Sequence, residues 1–224
     1  MRTCVVLPTI NEADNIVIII PALRFYLRGL DHGVVVVDDG STDGTPTLAA
    51  ELGAYVIERG RRLGLGSAIH AGLTYCVGGG FDAGVVMDAD LQHPPRVVPT
   101  LVSECSRADI CIGVRVGRDS LPFYRRVVSS AAEWLAKLAY GDGITDLMSG
   151  FFAVNLNTMG KYIAGFTPTP RNYKYLLEFL MYLRRAGASP RISQVPYRQL
   201  ARVNGASKMG LGEVITYFMT VMRK

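Results

Sequence analysis

The 224 residues carry 24 Lys and Arg against 19 Asp and Glu, a formal net charge of +5, and 49% of them are hydrophobic. So modest a positive balance on so long a chain excludes a dedicated nucleic-acid binder, and no charge block or low-complexity tract points to extended disorder. One hydrophobic core can still organise this length, so a single domain over 1–224 is expected, with 200–224 as its C-terminal segment.

The first apolar, β-branched run is Thr3 to Leu7, and the stretch after it holds Pro21, which reads as the first turn of a helix Ala22 to Arg28 closed by Gly29. Val34 to Val37 and Ala54 to Ile57 are the next strand candidates, followed by a helix over Gly66 to Val77. Val85 to Met87 and Ile110 to Val114 continue the strands. A helix over Tyr124 to Tyr140 then places Val127, Val128, Ala131, Trp134, Leu135 and Leu138 on one face, which makes Trp134 a core residue. A strand over Gly150 to Val154, a helix over Tyr173 to Arg185, a strand over Arg191 to Tyr197 and an amphipathic stretch from Gly212 complete the order. Near-continuous apolar strands separated by enough chain for a helix predict an α/β class, a mainly parallel sheet flanked by helices.

Cys4, Cys76, Cys105 and Cys111 lack metal-ligand spacing and read as reduced, buried hydrophobes, and no signal-peptide pattern precedes the first strand, so a cytoplasmic protein is expected. Ile16 to Leu23 is broken by Pro21, and Val214 to Met222 ends at Arg223; neither supplies the roughly 20 apolar residues of a membrane helix.

The polar motifs follow the strands, at the carboxyl ends where an open parallel sheet binds ligands. Asp88-Ala89-Asp90 directly ends Val85-Val86-Met87. In extended chain, positions i and i+2 point the same way, so two carboxylates meet there, and a divalent cation is the usual resolution of their repulsion. Oxygen ligands suit Mg²⁺ or Mn²⁺, and Gln92 continues the parity with a carbonyl oxygen. A solvated turn would explain the triplet as well, taken alone. After the second strand comes Asp38-Asp39-Gly40-Ser41-Thr42-Asp43, where helix capping accounts for Ser41 and Asp43 but not for two adjacent acids. One of the two is expected to face a ligand.

Four motifs in order, Val6-Leu7-Pro8-Thr9-Ile10-Asn11-Glu12, Val36-Val37-Asp38-Asp39-Gly40-Ser41-Thr42-Asp43, Gly64-Leu65-Gly66-Ser67-Ala68 and Asp88-Ala89-Asp90-Leu91-Gln92, resemble those of family 2 inverting glycosyltransferases. Within that family the resemblance is to the dolichol-phosphate mannose synthase branch. It implies a GT-A fold in which Pro8, Thr9, Asn11, Glu12, Val37, Asp39, Asp88 and Ala89 hold the nucleotide, and Asp88, Asp90 and Gln92 hold the metal and diphosphate. It implies an acceptor-phosphate site of Arg115, Arg126 and Ser130, and a donor-closing element in Arg202-Val203-Asn204-Gly205-Ala206-Ser207-Lys208, with Arg202 and Lys208 on the diphosphate. Asp90 and Arg126 would be central to catalysis. The implied partners are a nucleotide-sugar donor, GDP-mannose first and a UDP-sugar as the alternative, and a polyprenyl or dolichyl phosphate met by peripheral contact at the cytoplasmic face of a membrane.

Many family members with sugar hydroxyl acceptors carry a downstream acidic base. Here Asp146 follows Gly141-Asp142-Gly143-Ile144-Thr145 and is expected to orient the acceptor loop instead. A lipid phosphate is anionic near neutral pH and needs no general base, so no proton-transfer residue is assigned. His32 and His70 read as structural or solvent-facing, His93 as a candidate distant ligand, and Arg59-Gly60-Arg61-Arg62 as a loop that is either solvated or in contact with the donor. A receiver-type phosphoryl-transfer domain also uses an acidic pair with a further Asp, but leaves Asn11-Glu12 and Arg125-Arg126 without a role.

Overall fold

A computed structural model describes residues 1–116, 144–146, 149–170 and 174–200. Its strands are β1 (Thr3–Thr9), β2 (His32–Asp38), β3 (Tyr55–Glu58), β4 (Ala83–Val86), β5 (Ile110–Val116), β6 (Phe152–Asn155) and β7 (Ile192–Arg198). They form one sheet in the order β3-β2-β1-β4-β6-β5-β7. β1 runs parallel to β2 and β4, β2 to β3, and β5 to β7, while β6 alone runs antiparallel, between β4 and β5. Every strand expected from the apolar runs is present, in a single α/β domain with a mostly parallel, mixed sheet.

Both sheet faces are buried, as the continuous apolar runs require. Side chains alternate across each strand. Val6, Val35, Val37, Val86, Ile110 and Phe152 face one layer, with α3 (Leu65–Gly78), α5 (Leu156–Gly165) and α6 (Tyr175–Arg185). Val5, Leu7, Val34, Val36, Val85, Met87 and Phe151 face the other, with α1 (Ala13–Tyr26) and α4 (Val98–Cys105). A short helix, α2 (Thr45–Glu51), leads from β2 to β3.

Helix α1 departs from expectation. Pro21 lies inside it rather than in its first turn, and the helix begins nine residues before Ala22, at Ala13. Ile16, Ile19, Ile20 and Leu23 explain why: they lie at helical spacing and are fully buried. Each contributes about 1.5–3 kcal/mol on burial, which together outweighs the ~3 kcal/mol that a proline costs inside a helix. Helix α2 follows the Asp38–Asp43 turn as the capping reading implied, whereas α4 and α5 were not anticipated, although Val98, Leu101, Val102 and Cys105 carry the i, i+3, i+4, i+7 pattern that buries α4. The expected helix over Tyr124 to Tyr140 and the stretch from Gly212 lie outside the described residues.

Candidate active site

Three loops leave the carboxyl ends of β1, β2 and β4 side by side, because those strands are neighbours in register; Thr9 pairs with Asp38 and Val6 with Val86. Asp38 does not face a ligand. Its Oδ1 accepts from the backbone amides of Gly40 (3.0 Å) and Ser41 (2.8 Å), and its Oδ2 from the hydroxyls of Thr9 (3.1 Å) and Ser41. The first loop is fastened to the second by further bonds. Asn11 donates its amide to Ser41 Oγ and accepts from Thr42, Glu12 donates to Thr45 Oγ1, and Ala13 donates to Asp43 Oδ2. Ser41 therefore ties two loops together, and Asp43 does so while also holding the start of α2: its Oδ1 accepts from the amide (3.0 Å) and hydroxyl (2.6 Å) of Thr45, although the N-cap position itself is Gly44 without a side-chain bond. Gly40 is required in this turn. It has φ +85, and a Cβ there would lie 3.1 Å from the Arg61 Cα.

Asp39 turns the other way. It is 6% exposed, its Oδ2 accepts from the Gly64 amide at 2.7 Å, and its Oδ1 lies 3.0 Å from Arg59 Nη1. That Arg59 contact is an ion pair without hydrogen-bond geometry, so among the described residues the buried Oδ1 has no hydrogen-bond donor. Arg59 Nη2 donates to Ser67 Oγ at 2.5 Å, and Ser67 Oγ donates in turn to the Gly64 carbonyl at 2.9 Å. Asp39, Arg59, Ser67 and Gly64 make a closed ring joining the ends of β2 and β3 to the start of α3. Of the basic loop residues, Arg59 is thus held by the protein. Pro8 and Val37, paired across β1 and β2, are buried with Ala89 as the packed floor beneath the loops.

At the end of β4, Asp88 lies deep in the molecule, yet its side chain keeps 42% of its surface exposed, so it lines an opening rather than the core. Burial raises its pKa, with the Asp90 charge adding to the rise and His93 opposing it. Gly150 leaves room for this carboxylate, since a Cβ there would stand 3.3 Å from Asp88 Oδ2. Asp90 Oδ1 accepts from the Gln92 amide at 3.1 Å, and Leu91 between them has φ 64. Among the described residues no group of three or more His, Cys, Asp and Glu converges. Two carboxylates, one of which burial makes costly to ionise, are a donor set that a hard divalent ion fits when substrate phosphates complete its shell. His93 is buried, stacks on Phe151 with centroids 4.9 Å apart, and its Nδ1 accepts the Asp88 amide at 3.0 Å. It therefore buttresses the strand end, and burial lowers its pKa while the charges of Asp88 and Asp90 oppose the fall.

Opposite, at the end of β5, Arg115 donates from Nε and Nη2 to the two oxygens of Asp146, both at 2.9 Å. Asp146 is 2% exposed and has φ 55, and the pair raises the Arg115 pKa. Two residues that the sequence did not single out stand beside this pair. Lys174, partly buried ahead of α6, has its pKa lowered to about 8 by burial and then by Arg115, while the charges of Asp146 and Asp88 oppose the fall. Tyr197 packs edge-on against His93 and Phe151, and burial raises its pKa, an effect that the nearby Ser149 hydroxyl partly opposes. Neither residue lies within a motif. Tyr197 shares the inward parity of Val195 and reads from sequence as core. His70 bonds Tyr175 and belongs to the aromatic layer behind the sheet. Arg126, Ser130, Arg202 and Lys208 lie outside the described residues.

Solved structures of glucosyl-3-phosphoglycerate synthase from Mycobacterium tuberculosis share this fold. The complex with Mg²⁺ and UDP is 22% identical, with a TM-score of 0.75 over 99% of this chain and 78% of that one. The complex with Mn²⁺, UDP and glucosyl-3-phosphoglycerate is 26% identical, with a TM-score of 0.68 over 91% of this chain and 72% of that one. Among curated proteins, the dolichol-phosphate mannosyltransferase of Pyrococcus furiosus is 34% identical over all of this chain, which spans 63% of that protein's length. The undecaprenyl-phosphate mannosyltransferase of Micrococcus luteus is 32% identical over all of this chain and 93% of its own, and the polyprenol monophosphomannose synthase of Mycolicibacterium smegmatis is 30% identical over 93% and 81%. The model of glycosyl transferase family 2 matches residues 4–162, which contain the loops after β1, β2 and β4, and the chain belongs to that family.

Proposed function

We propose that this protein transfers mannose from GDP-mannose to the phosphate of a dolichyl or other polyprenyl lipid, with inversion at the anomeric carbon. The observation that carries the reading is the Arg115–Asp146 pair. The downstream acid that would serve as a base toward a sugar hydroxyl is buried and bound on both oxygens by a guanidinium. An Asp146 engaged in this way is not poised to take a proton, which suits a nucleophile that is already an anion. The three curated relatives, each named for mannosyl transfer to a polyprenyl phosphate, support the same acceptor class.

In this reading the nucleoside lies over the loops after β1 and β2, with the unsatisfied Oδ1 of Asp39 as its acceptor and Asn11 and Glu12 at its rim. Asp88 and Asp90, with Gln92, would hold Mg²⁺ or Mn²⁺, which when bound supplies positive charge beside the donor diphosphate. Arg202 and Lys208 are assigned to that diphosphate as well. Arg115, Arg126 and Ser130 receive the lipid phosphate, for which a guanidinium offers paired N–H donors without giving up a proton. A phosphate oxygen attacks the anomeric carbon, the bond from that carbon to the diphosphate oxygen breaks, and its electron pair leaves with the nucleoside diphosphate. No proton moves. Residues 200–224 would close over the donor and meet the bilayer surface, a peripheral attachment at the cytoplasmic face; among the described residues no helix is long and apolar enough to cross a membrane.

The test is a screen of radiolabelled GDP-mannose, UDP-glucose and related donors with a short polyprenyl phosphate, scored by extraction of label into organic solvent. GDP-mannose is expected to label the lipid. Label from a UDP-sugar alone would reassign the donor, and efficient transfer to a soluble sugar with none to the lipid would overturn the acceptor.

A further inference from the structure

Helix α1 buries one face against the sheet and leaves the opposite face unlike the rest of the surface. Val17 and Ile18 are 45% and 47% exposed, Phe25 is 57% exposed, and Pro21 between them is exposed as well. Asp14, Ile18, Pro21 and Phe25 follow one another at intervals of four, three and four residues, with Val17 beside Ile18, so they form a single ridge along the helix. Arg28, just past the helix end, extends the ridge because its guanidinium lies 4.8 Å over the Phe25 ring. The ridge is therefore acidic at one end, apolar in the middle and basic at the other. Neither Asp14 nor Arg28 has an ion-pair partner among the described residues.

We propose that this ridge is the contact between two copies of the chain, paired antiparallel about a two-fold axis at Pro21. The pattern is its own complement. Positions equidistant from residue 21 match, so Asp14 meets Arg28 of the other copy and Val17 meets its Phe25, while Ile18 falls opposite its Arg24 beside that ring. A two-fold interface needs one patch that fits itself, and an antiparallel helix pair with opposite charges at its ends supplies it. An anionic bilayer would attract Arg28 but repel Asp14, so the charge pattern favours a protein copy over lipid. The ridge from Asp14 to Arg28 is about 20 Å long at the helical rise. A single helical ridge of that length is expected to bury less than the roughly 1,200 Å² of a stable complex, so the dimer should be concentration-dependent. The proposal is independent of the reaction assigned above.

Sedimentation velocity of the full chain over a micromolar concentration series tests it, with circular dichroism melts to show that each variant is folded. The wild type is expected to pass from monomer to dimer, and Ile18→Glu to remain monomeric. Asp14→Arg and Arg28→Asp, each of which turns both symmetric attractions into repulsions, should each weaken the dimer by about tenfold, and the double variant should restore it. A monomer throughout, a dimer indifferent to Ile18→Glu, or a double variant no better than the singles would overturn the proposal. A monomer that floats with phosphatidylglycerol vesicles, and loses that binding in Ile18→Glu, would assign the ridge to a lipid surface instead.

Discussion

At the scale of single residues, the site is a set of carboxylates in unequal situations. Asp38 spends both oxygens on the protein, Asp146 spends both on Arg115, Asp39 keeps one oxygen without a donor among the described residues, and Asp88 opens onto solvent. Asp90→Asn should leave the melting temperature close to wild type and lower kcat by about 10²–10³, the scale of losing an electrostatic contact to the leaving group. Activity of that variant undiminished in EDTA would remove Asp90 from the metal site. Asp39→Ala should do two things at once. It strands Arg59 in a buried place, at a cost of about 3–5 kcal/mol in denaturant unfolding, and it weakens nucleoside diphosphate binding. The companion Arg59→Ala leaves Asp39 present, so comparing calorimetric affinities of the two variants separates contact from support. Lys174 gives the pH dependence. Its amine is charged below about 8 and neutral above, so kcat/KM for the lipid phosphate should fall as pH rises through that value, and Lys174→Arg should keep it level. The unfolded amine titrates near 10.5, so between about 8 and that value the unfolded chain holds the extra proton and stability rises with pH. Unfolding therefore cannot account for the lost activity, and a melting curve at each pH checks the sign.

At the scale of elements, the loops are rigid because each is a partner for the other. The Asp38 turn is held from Thr9, and the start of α1 is held from Asp43 and Thr45, so the chain entering α1 and the chain entering α2 are fixed by one network. The proline in α1 is a cost borne for another reason than stability. Pro21 lacks the N–H that would bond the Val17 carbonyl, and Val17 is exposed, so water can satisfy that carbonyl. Pro21→Ala should therefore stabilise the protein by about 1–3 kcal/mol in urea titration at low protein concentration. An unchanged or lower midpoint would mean that the ring packs against something in solution.

At the scale of the whole molecule, the sheet order brings two functional ends together. β1, β2 and β4 present the loops assigned to the donor, while β5 and β7 present Arg115 and Tyr197, and antiparallel β6 is inserted between them. Phe151 and Gly150, at the start of that strand, sit against His93 and Asp88 and couple the halves. Ligand occupancy of such a cleft should be visible in global stability. GDP with Mn²⁺ at about a hundredfold above its Kd should add ~2.7 kcal/mol to unfolding, and EDTA should remove most of the gain. A shift produced by UDP and not by GDP would support the glucosyl alternative.

The sequence by itself determined the seven strands, their carboxyl-end motifs and the family, because an apolar run buried on both faces and an acid leaving a strand are local signals. It also indicated that two adjacent acids after β2 exceed what capping needs. The strand pattern did not determine which of the two is spent on the loop turn and which on the ring with Arg59, since Asp38 and Asp39 are distinguished by Thr9, Arg59 and Gly64, which come from other strands and a distant helix start. Nor did it single out Lys174 or Tyr197. Their surroundings arise where β5, β7 and the start of α6 meet the end of β4, a convergence of segments that are distant along the chain. The start of α1 was misplaced for the same reason: a proline is a strong local signal, and the buried Ile and Leu side chains that overrule it act only once the sheet is there to receive them.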